Sequence, residues 1–115
     1  MQESATQTVL DRRQLSNVTL DDEELMREIV AALIEDTARQ LPLLADAIST
    51  GDGVRAARLA HYSKGACANL GAASSAYLLQ AIERTAANGD FSSCSVSLAA
   101  LMTELERLRV EAQSL

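Results

Sequence analysis

The sequence contains very few aromatic residues. Of its 115 residues, two are tyrosine, one is phenylalanine and none is tryptophan. Aromatic rings are the platforms on which single-stranded nucleic acids stack, and clustered basic side chains are what bind phosphate backbones. The formal net charge is −6, so the chain is also short of basic residues. We therefore expect no nucleic acid partner.

Cysteine and long apolar runs are equally scarce. The two cysteines, Cys67 and Cys94, form neither a disulfide framework nor a paired metal motif, so we expect no bound metal. No run of about 18 apolar residues exists that could span a membrane. The N-terminus lacks the basic region and apolar run of a signal peptide. These features predict a cytoplasmic protein that does not insert into membranes.

The residues that are abundant favour helices. Alanine, leucine, glutamate and arginine recur at helical spacing within 19–52, 53–70, 74–88 and 90–115. Short connections place successive helices antiparallel. The predicted fold is all-α: an up-down-up-down antiparallel four-helix bundle over residues 9–115. A short helical appendage is expected after Asp11, and a frayed tail over residues 1–8.

Several local features follow from the same patterns. Thr19 or Asp21 is expected to cap the first long helix, Asp52 the second, Ser74 or Ser75 the third, and residues 90–93 the fourth. Pro42, the only proline, is expected to bend or divide its helix. The apolar residues expected to pack inward include Leu10, Leu15 and Val18 near the N-terminus and Val96, Leu98, Leu101, Leu105 and Leu108 in the last helix.

The stretch LAHYSKGACANLGA, residues 59–72, holds the only histidine of the chain, His61. At about 100° per residue, one helical face carries the small residues around His61, and Arg58 and Lys64 flank it at about 60° on either side. The opposite face is predicted to pack in the core and contains Leu59, Ser63, Ala66 and Leu70. Cys67, about 240° from His61, is also assigned to the core.

Together, His61, Lys64 and Gly65 suggest a nucleophilic site with a cation beside it for an anion. A mid-helix glycine costs about 1 kcal/mol relative to alanine, and Gly65 leaves the imidazole open to another surface. An exposed imidazole is mostly neutral at pH 7 and therefore nucleophilic, and Lys64 can offset arriving negative charge. Taken singly, each residue has an ordinary explanation: an incidental histidine, a solvated lysine and a close contact between helices.

These residues also resemble a known family. The pattern H-x-x-K-G, with a second glycine six residues later, is similar to the signature of histidine-containing phosphotransfer (Hpt) domains, and His61, Lys64, Gly65 and Gly71 match it. The resemblance extends over about residues 9–113. It implies a phosphoryl carrier, not a free-standing enzyme, that relays phosphate between receiver-domain aspartates in a multistep two-component phosphorelay.

The resemblance also implies residue roles. His61 would be phosphorylated on Nε2, Lys64 would steady the phosphoryl oxygens, and Gly65 would clear the approach. Glu83 stands where some members carry a glutamine that orients the imidazole. The surface expected to dock the receiver consists of Ala57, Arg58 and Ala68. The implied partners are a receiver domain and a hybrid sensor kinase, with Mg²⁺ on the receiver, no cofactor on this chain, and a monomeric state.

Two alternatives stay open at this point. The chain could be a helical module that binds receivers or other signalling proteins without carrying phosphate, and it could be a separate protein or one domain of a hybrid kinase. Ser63 departs from the family pattern, which usually has an apolar residue there. We expect its hydroxyl to bond to the carbonyl of Leu59 in the preceding turn.

Overall fold

The structure is a computed structural model that describes residues 8–115, and this part of the chain contains helices and no strand. The five helices are α1 (Arg12–Thr19), α2 (Glu23–Ser49), α3 (Gly53–Asn69), α4 (Ala73–Ala87) and α5 (Phe91–Ala112). The all-α prediction and the count of four long helices are confirmed. No helix in the described part is long and apolar enough to cross a membrane.

Helices α2 to α5 form the bundle. Each packs against its neighbours in the chain, and α2 closes the ring by packing against α5. Connections of three residues join α2 to α3, α3 to α4, and α4 to α5, so successive helices run antiparallel. The core is aliphatic and contains no aromatic ring; its largest fully buried apolar side chains are Leu15, Leu44, Leu79, Ile82, Leu101, Leu108 and Val30. Small residues between these leucines allow close helix packing.

Aspartates cap four of the five helices. Asp52 and Asp90 cap α3 and α5 as predicted, each accepting a hydrogen bond from the third backbone amide of its helix at 3.1 Å. The cap predicted for α2 was wrong, because Asp22 fills that position. Thr19 ends α1, and Asp21 has a φ of 63°, outside the extended conformation that an N-cap adopts.

The start of α4 differs from the prediction. Ala72 occupies the cap position, and no side chain in the described part of the chain caps the helix. The Ser74 amide instead donates to the Thr8 carbonyl at 2.9 Å. Ser75 is fully buried, and its hydroxyl has no hydrogen-bond partner among residues 8–115. Contacts from the N-terminal segment therefore replace a side-chain cap.

The predicted appendage exists as α1, with Asp11 as its cap. The Asp11 amide donates to the Gly71 carbonyl at 2.8 Å, and the Gln14 side-chain amide donates to the Ala68 carbonyl at 2.6 Å. Helix α1 thus covers the C-terminal end of α3, and Leu15 is buried beneath it. Of the tail predicted for residues 1–8, all but Thr8 lies outside the described residues.

Four packing predictions require correction. Helix α2 continues unbroken through Pro42, so the predicted division is wrong. Val18 and Val96, expected to face the core, are 49% and 72% exposed because they lie on the outer sides of their helices. Ser63 is buried as predicted, but its hydroxyl bonds to nothing within residues 8–115, so the expected bond to the Leu59 carbonyl is absent.

Candidate functional site

The antiparallel pairing of α3 and α4 brings Glu83 to His61. His61 Nδ1 lies 2.9 Å from Glu83 Oε2, and Lys64 Nζ lies 2.7 Å from Glu83 Oε1. One carboxylate therefore bridges the histidine and the lysine that follows it by one helical turn. The His61 side chain is 68% exposed, whereas those of Lys64 and Glu83 are 28% and 29% exposed. The imidazole thus stands on the surface while its two neighbours are held against the bundle.

The bridge determines which ring nitrogen is available. The hydrogen bond from Lys64, with the smaller contribution of His61, lowers the pKa of Glu83 below its ordinary value of 4.5. An ionised carboxylate can only accept hydrogen bonds, so the proton in the contact belongs to Nδ1. Within residues 8–115, no group bonds to Nε2. A neutral His61 ring therefore presents its lone pair at Nε2.

Lys64 lies beside the imidazole, and its ammonium group donates a hydrogen bond to Glu83. An ammonium group has three donors, and the contact with Glu83 uses one of them. The other two have no partner within residues 8–115. The arrangement combines a nucleophilic nitrogen, a carboxylate that fixes its tautomer, and a cation one helical turn away.

Gly65 is exposed and has no packing role within the described chain. A Cβ atom built at this position meets no heavy atom within 4 Å. The close helix contact considered from the sequence is therefore not the reason for a glycine at this position. The open space lies on the outer surface of α3, next to Lys64.

The other predicted docking residues lie along the same pair of helices. Ala68 lines a cavity of about 450 Å³ together with Gly65 and Tyr77. Ala57 and Arg58 line another, of about 580 Å³, at the opposite end of the pair. The contact between His61 and Glu83 lies between these two cavities in sequence along both helices.

Charge is distributed unevenly over the bundle. Helices α3 and α4 contain four basic residues and a single acidic one, a net charge of +3. The rest of the chain contains six basic and fifteen acidic residues, a net charge of −9. The basic residues of the pair are Arg55, Arg58, Lys64 and Arg84, and the acidic one is Glu83. The His61 face is therefore cationic on an acidic protein.

Sequence reasoning missed three residues of this face, all on α4. Tyr77 and Gln80 line the cavity at Gly65, and Arg84 lines a smaller cavity with Lys64 and Glu83. Their positions follow once α3 and α4 are aligned antiparallel with residue 83 opposite residue 61. The feature of the sequence that could have identified them is the short connection between the two helices, because it fixes that alignment.

The cysteines take no part in the site. Both are free and buried, as predicted for Cys67. Burial raises the pKa of the Cys67 thiol to about 11, which keeps it protonated and unreactive at neutral pH. Within residues 8–115, no group of three histidine, cysteine, aspartate or glutamate side chains converges as a metal site would require.

Comparison with solved structures identifies similar folds. The chain is similar to histidine-containing phosphotransfer protein B (HptB) from Pseudomonas aeruginosa PAO1, with a TM-score of 0.85, 22% identity and 95% of each chain covered. It is also similar to ZmHP2 from maize, with a TM-score of 0.81, 20% identity, and 92% of this chain and 81% of that chain covered.

A putative histidine-containing phosphotransfer protein from rice gives a TM-score of 0.78 at 18% identity, with 92% of this chain and 78% of that chain covered. A search of curated proteins gave no match. Identities this low establish the shared bundle, and membership of a family rests on the sequence itself. Residues 28–111, almost three quarters of the chain, match the family described as Hpt domain. The chain therefore belongs to the Hpt domain family, whose members carry phosphoryl groups in phosphorelays.

Proposed function

We propose that His61 is the residue that carries the phosphoryl group, receiving it from an aspartyl phosphate of a receiver domain and passing it on to another. The observation that supports this most directly is the 2.9 Å contact between His61 Nδ1 and Glu83. It leaves Nε2 as the free nucleophile on an exposed ring. No second residue on this face offers a comparable nucleophile.

The transfer step exchanges one bond to phosphorus for another. The Nε2 lone pair attacks phosphorus, a bond from nitrogen to phosphorus forms, and the bond from phosphorus to the aspartyl oxygen breaks. The aspartate leaves as a carboxylate. The imidazole ring gains positive charge, which Glu83 stabilises through the proton on Nδ1. Transfer to a second receiver reverses these events with its aspartate as the nucleophile.

Lys64 and the partner supply the remaining stabilisation. The two free donors of the Lys64 ammonium can bond to phosphoryl oxygens as they arrive near His61. Phosphoryl transfer also needs in-line positioning and charge neutralisation, commonly by a divalent cation. We assign Mg²⁺ to the receiver domain. The chain itself acts as a carrier, working as a monomer in the cytoplasm between a hybrid sensor kinase and its receivers.

Incubation with a receiver domain carrying radiolabelled aspartyl phosphate tests the proposal. The chain should acquire a label that is acid-labile and alkali-stable, and His61→Gln should acquire none while keeping its helical circular dichroism. Lys64→Ala should still be labelled, but more slowly. Label in the His61→Gln variant would overturn the assignment. A chain that binds the receiver without acquiring label would instead be an interaction module.

A further inference from the structure

The ion pair between Lys64 and Glu83 cancels its own charge. Glu83 is ionised at neutral pH, because the hydrogen bond from Lys64 holds its pKa below the ordinary value of 4.5. The Lys64 ammonium lies 2.7 Å from Glu83 Oε1, so one positive charge faces one negative charge. A phosphoryl group on a protein side chain carries a charge of roughly −1.5 to −2 at pH 7. A phosphoryl group on His61 therefore needs a further cation to balance its charge.

Four basic residues lie on α3 and α4, and they differ in their partners. Arg55 and Lys64 are each bound to a carboxylate at 2.7 Å. Arg58 and Arg84 are exposed, and among residues 8–115 neither side chain forms an ion pair or donates a hydrogen bond. These two guanidinium groups are therefore the candidates for the missing charge.

Arg58 lies one helical turn before His61. Residues three apart on a helix are neighbours, with Cβ atoms roughly 5–6 Å apart. Side chains lean toward the N-terminus of their helix, so the imidazole extends over the turn that contains Arg58. Glu83 holds the ring through Nδ1, and Nε2 is the ring nitrogen farther from the backbone. A phosphoryl group on Nε2 thus lies beyond the contact with Glu83, within the span of the long Arg58 side chain.

The cavities along α3 and α4 place Arg58 on the same side of its helix as the ion pair. Arg58 lines a cavity of about 580 Å³ together with Ala87 of α4. Ala87 also lines the cavity that contains Lys64 and Glu83. The two cavities therefore meet at one residue of α4, and Arg58 faces the helix that supplies Glu83 to His61.

Arg84 lies on the Lys64 side of the ion pair. It lines a cavity with Lys64 and Gln80. Because α4 runs antiparallel to α3, a side chain that leans toward the N-terminus of α4 extends toward Lys64 and away from the turn of Arg58. Of the two candidates, Arg58 is thus the one placed toward Nε2 of His61.

From this charge balance and geometry we propose that Arg58 is a second phosphoryl-binding residue, whose guanidinium donates hydrogen bonds to the oxygens of the phosphoryl group on Nε2 of His61. A guanidinium is always charged and matches phosphate oxygens with two parallel donors. Arg58 and Lys64 then hold the phosphoryl group from the turns before and after His61. The inference rests on the proposed function of His61 and adds a residue outside the H-x-x-K-G motif.

Titration of the phosphohistidine by phosphorus-31 NMR tests this contact. The wild type, Arg58→Gln and the matched control Arg55→Gln are each phosphorylated with phosphoramidate, a small donor that needs no docking surface. A cation on the phosphoryl oxygens opposes proton uptake, so Arg58→Gln should raise the pKa of the phosphohistidine by about half a pH unit or more. Arg55→Gln removes the same charge from the same helix but farther from His61, and should change this pKa by less than about 0.2 of a pH unit.

The rate of loading by phosphoramidate provides a second readout. Arg58→Gln should acquire phosphate about tenfold more slowly than the wild type. Arg58→Lys should recover part of that loss, because lysine restores the charge but not the paired donors. Circular dichroism and thermal melts verify that each variant is folded.

Three results would overturn the inference: a phosphohistidine that titrates alike in Arg58→Gln and the wild type, an equal change in Arg55→Gln, or a larger change in Arg84→Gln. In each of them His61 still carries the label, so the proposed function stands. A wild-type chain in which neither phosphoramidate nor the receiver labels His61 would instead overturn the proposed function, and the inference with it.

Discussion

Gly65 lies inside a helix at a position where the described part of the chain gives no packing reason for a glycine. A glycine inside a helix destabilises it by roughly 0.5–1 kcal/mol relative to alanine. Nothing in the described chain occupies the space that a methyl group would fill. Gly65→Ala should therefore raise the free energy of unfolding by about that amount and slow transfer from the receiver. Urea unfolding and the labelling assay measure the two effects.

Gly89 provides a control for the stability effect. A Cβ atom there also meets nothing within 4 Å in the described part of the chain, but the backbone has a φ of +72°, which residues other than glycine rarely adopt. Gly89→Ala should destabilise the protein by about 1 kcal/mol. If Gly65→Ala is also destabilising, the glycine has a structural role within the chain, which would contradict the prediction.

Glu83 makes the stability of the site depend on pH. Its pKa is lowered in the folded protein, mainly by the hydrogen bond from Lys64. The stabilisation is therefore complete above the ordinary value of 4.5 and is lost as pH falls through the lower, folded value. The difference in unfolding free energy between the wild type and Glu83→Gln should shrink on acidification from about pH 5 to about pH 3. Urea titrations across that range that give a constant difference would contradict the assignment.

At the scale of the element, α2 carries a proline without breaking. Pro42 cannot donate a backbone hydrogen bond, so the Ala38 carbonyl lacks its usual donor in the helix. The side chain is exposed, so little packing depends on it. Pro42→Ala should raise the free energy of unfolding by about 1–3 kcal/mol in urea titrations. Glu28→Ala, exposed on the same helix, should change it by less than about 0.5 kcal/mol.

A destabilised Pro42→Ala variant would contradict this prediction. It would mean that the bundle requires the local backbone shape that proline imposes. In that case the packing of α2 against α3 and α5 would depend on a bend at Pro42, the other expectation raised by the sequence.

The helices were predictable because each long one buries an aliphatic stripe at a spacing of 3.6 residues. The ends were less predictable, since caps depend on which neighbouring segment reaches a free amide. Ala72 starts α4 without a side-chain cap because the N-terminal segment bonds there. Leu20 and Asp21 adopt left-handed conformations between α1 and α2, where no glycine or asparagine marks the turn.

The functional site likewise has a part that the sequence predicts and a part that depends on how the helices pack. His61, Lys64 and Gly65 lie on one turn of one helix, so spacing alone predicts that they share a face. Glu83 comes from another helix, and its contact with His61 depends on the alignment of α3 with α4. Tyr77 was missed for that reason, because the cavity that it lines is formed jointly by α3 and α4. Pairing between helices is set by packing, which a pattern within one helix does not encode.

For the whole molecule, the main feature is a cationic face on an acidic protein. Opposite charges on two partners accelerate their encounter, and salt screens this effect. The second-order rate of transfer should fall on the order of tenfold between about 0.05 M and 0.5 M salt. Arg84→Gln, which removes an exposed cation of this face, should make the dependence shallower. A rate independent of salt would contradict electrostatic steering.

We expect phosphate to bond to Nε2 of His61 while Nδ1 keeps its proton for Glu83. Phosphorus-31 and nitrogen-15 NMR of the chain phosphorylated by its receiver tests this directly. The expected result is one phosphorus signal, coupled to Nε2 of the only imidazole, with Nδ1 protonated. A phosphorus nucleus coupled to Nδ1, or bonded to any other residue, would contradict it.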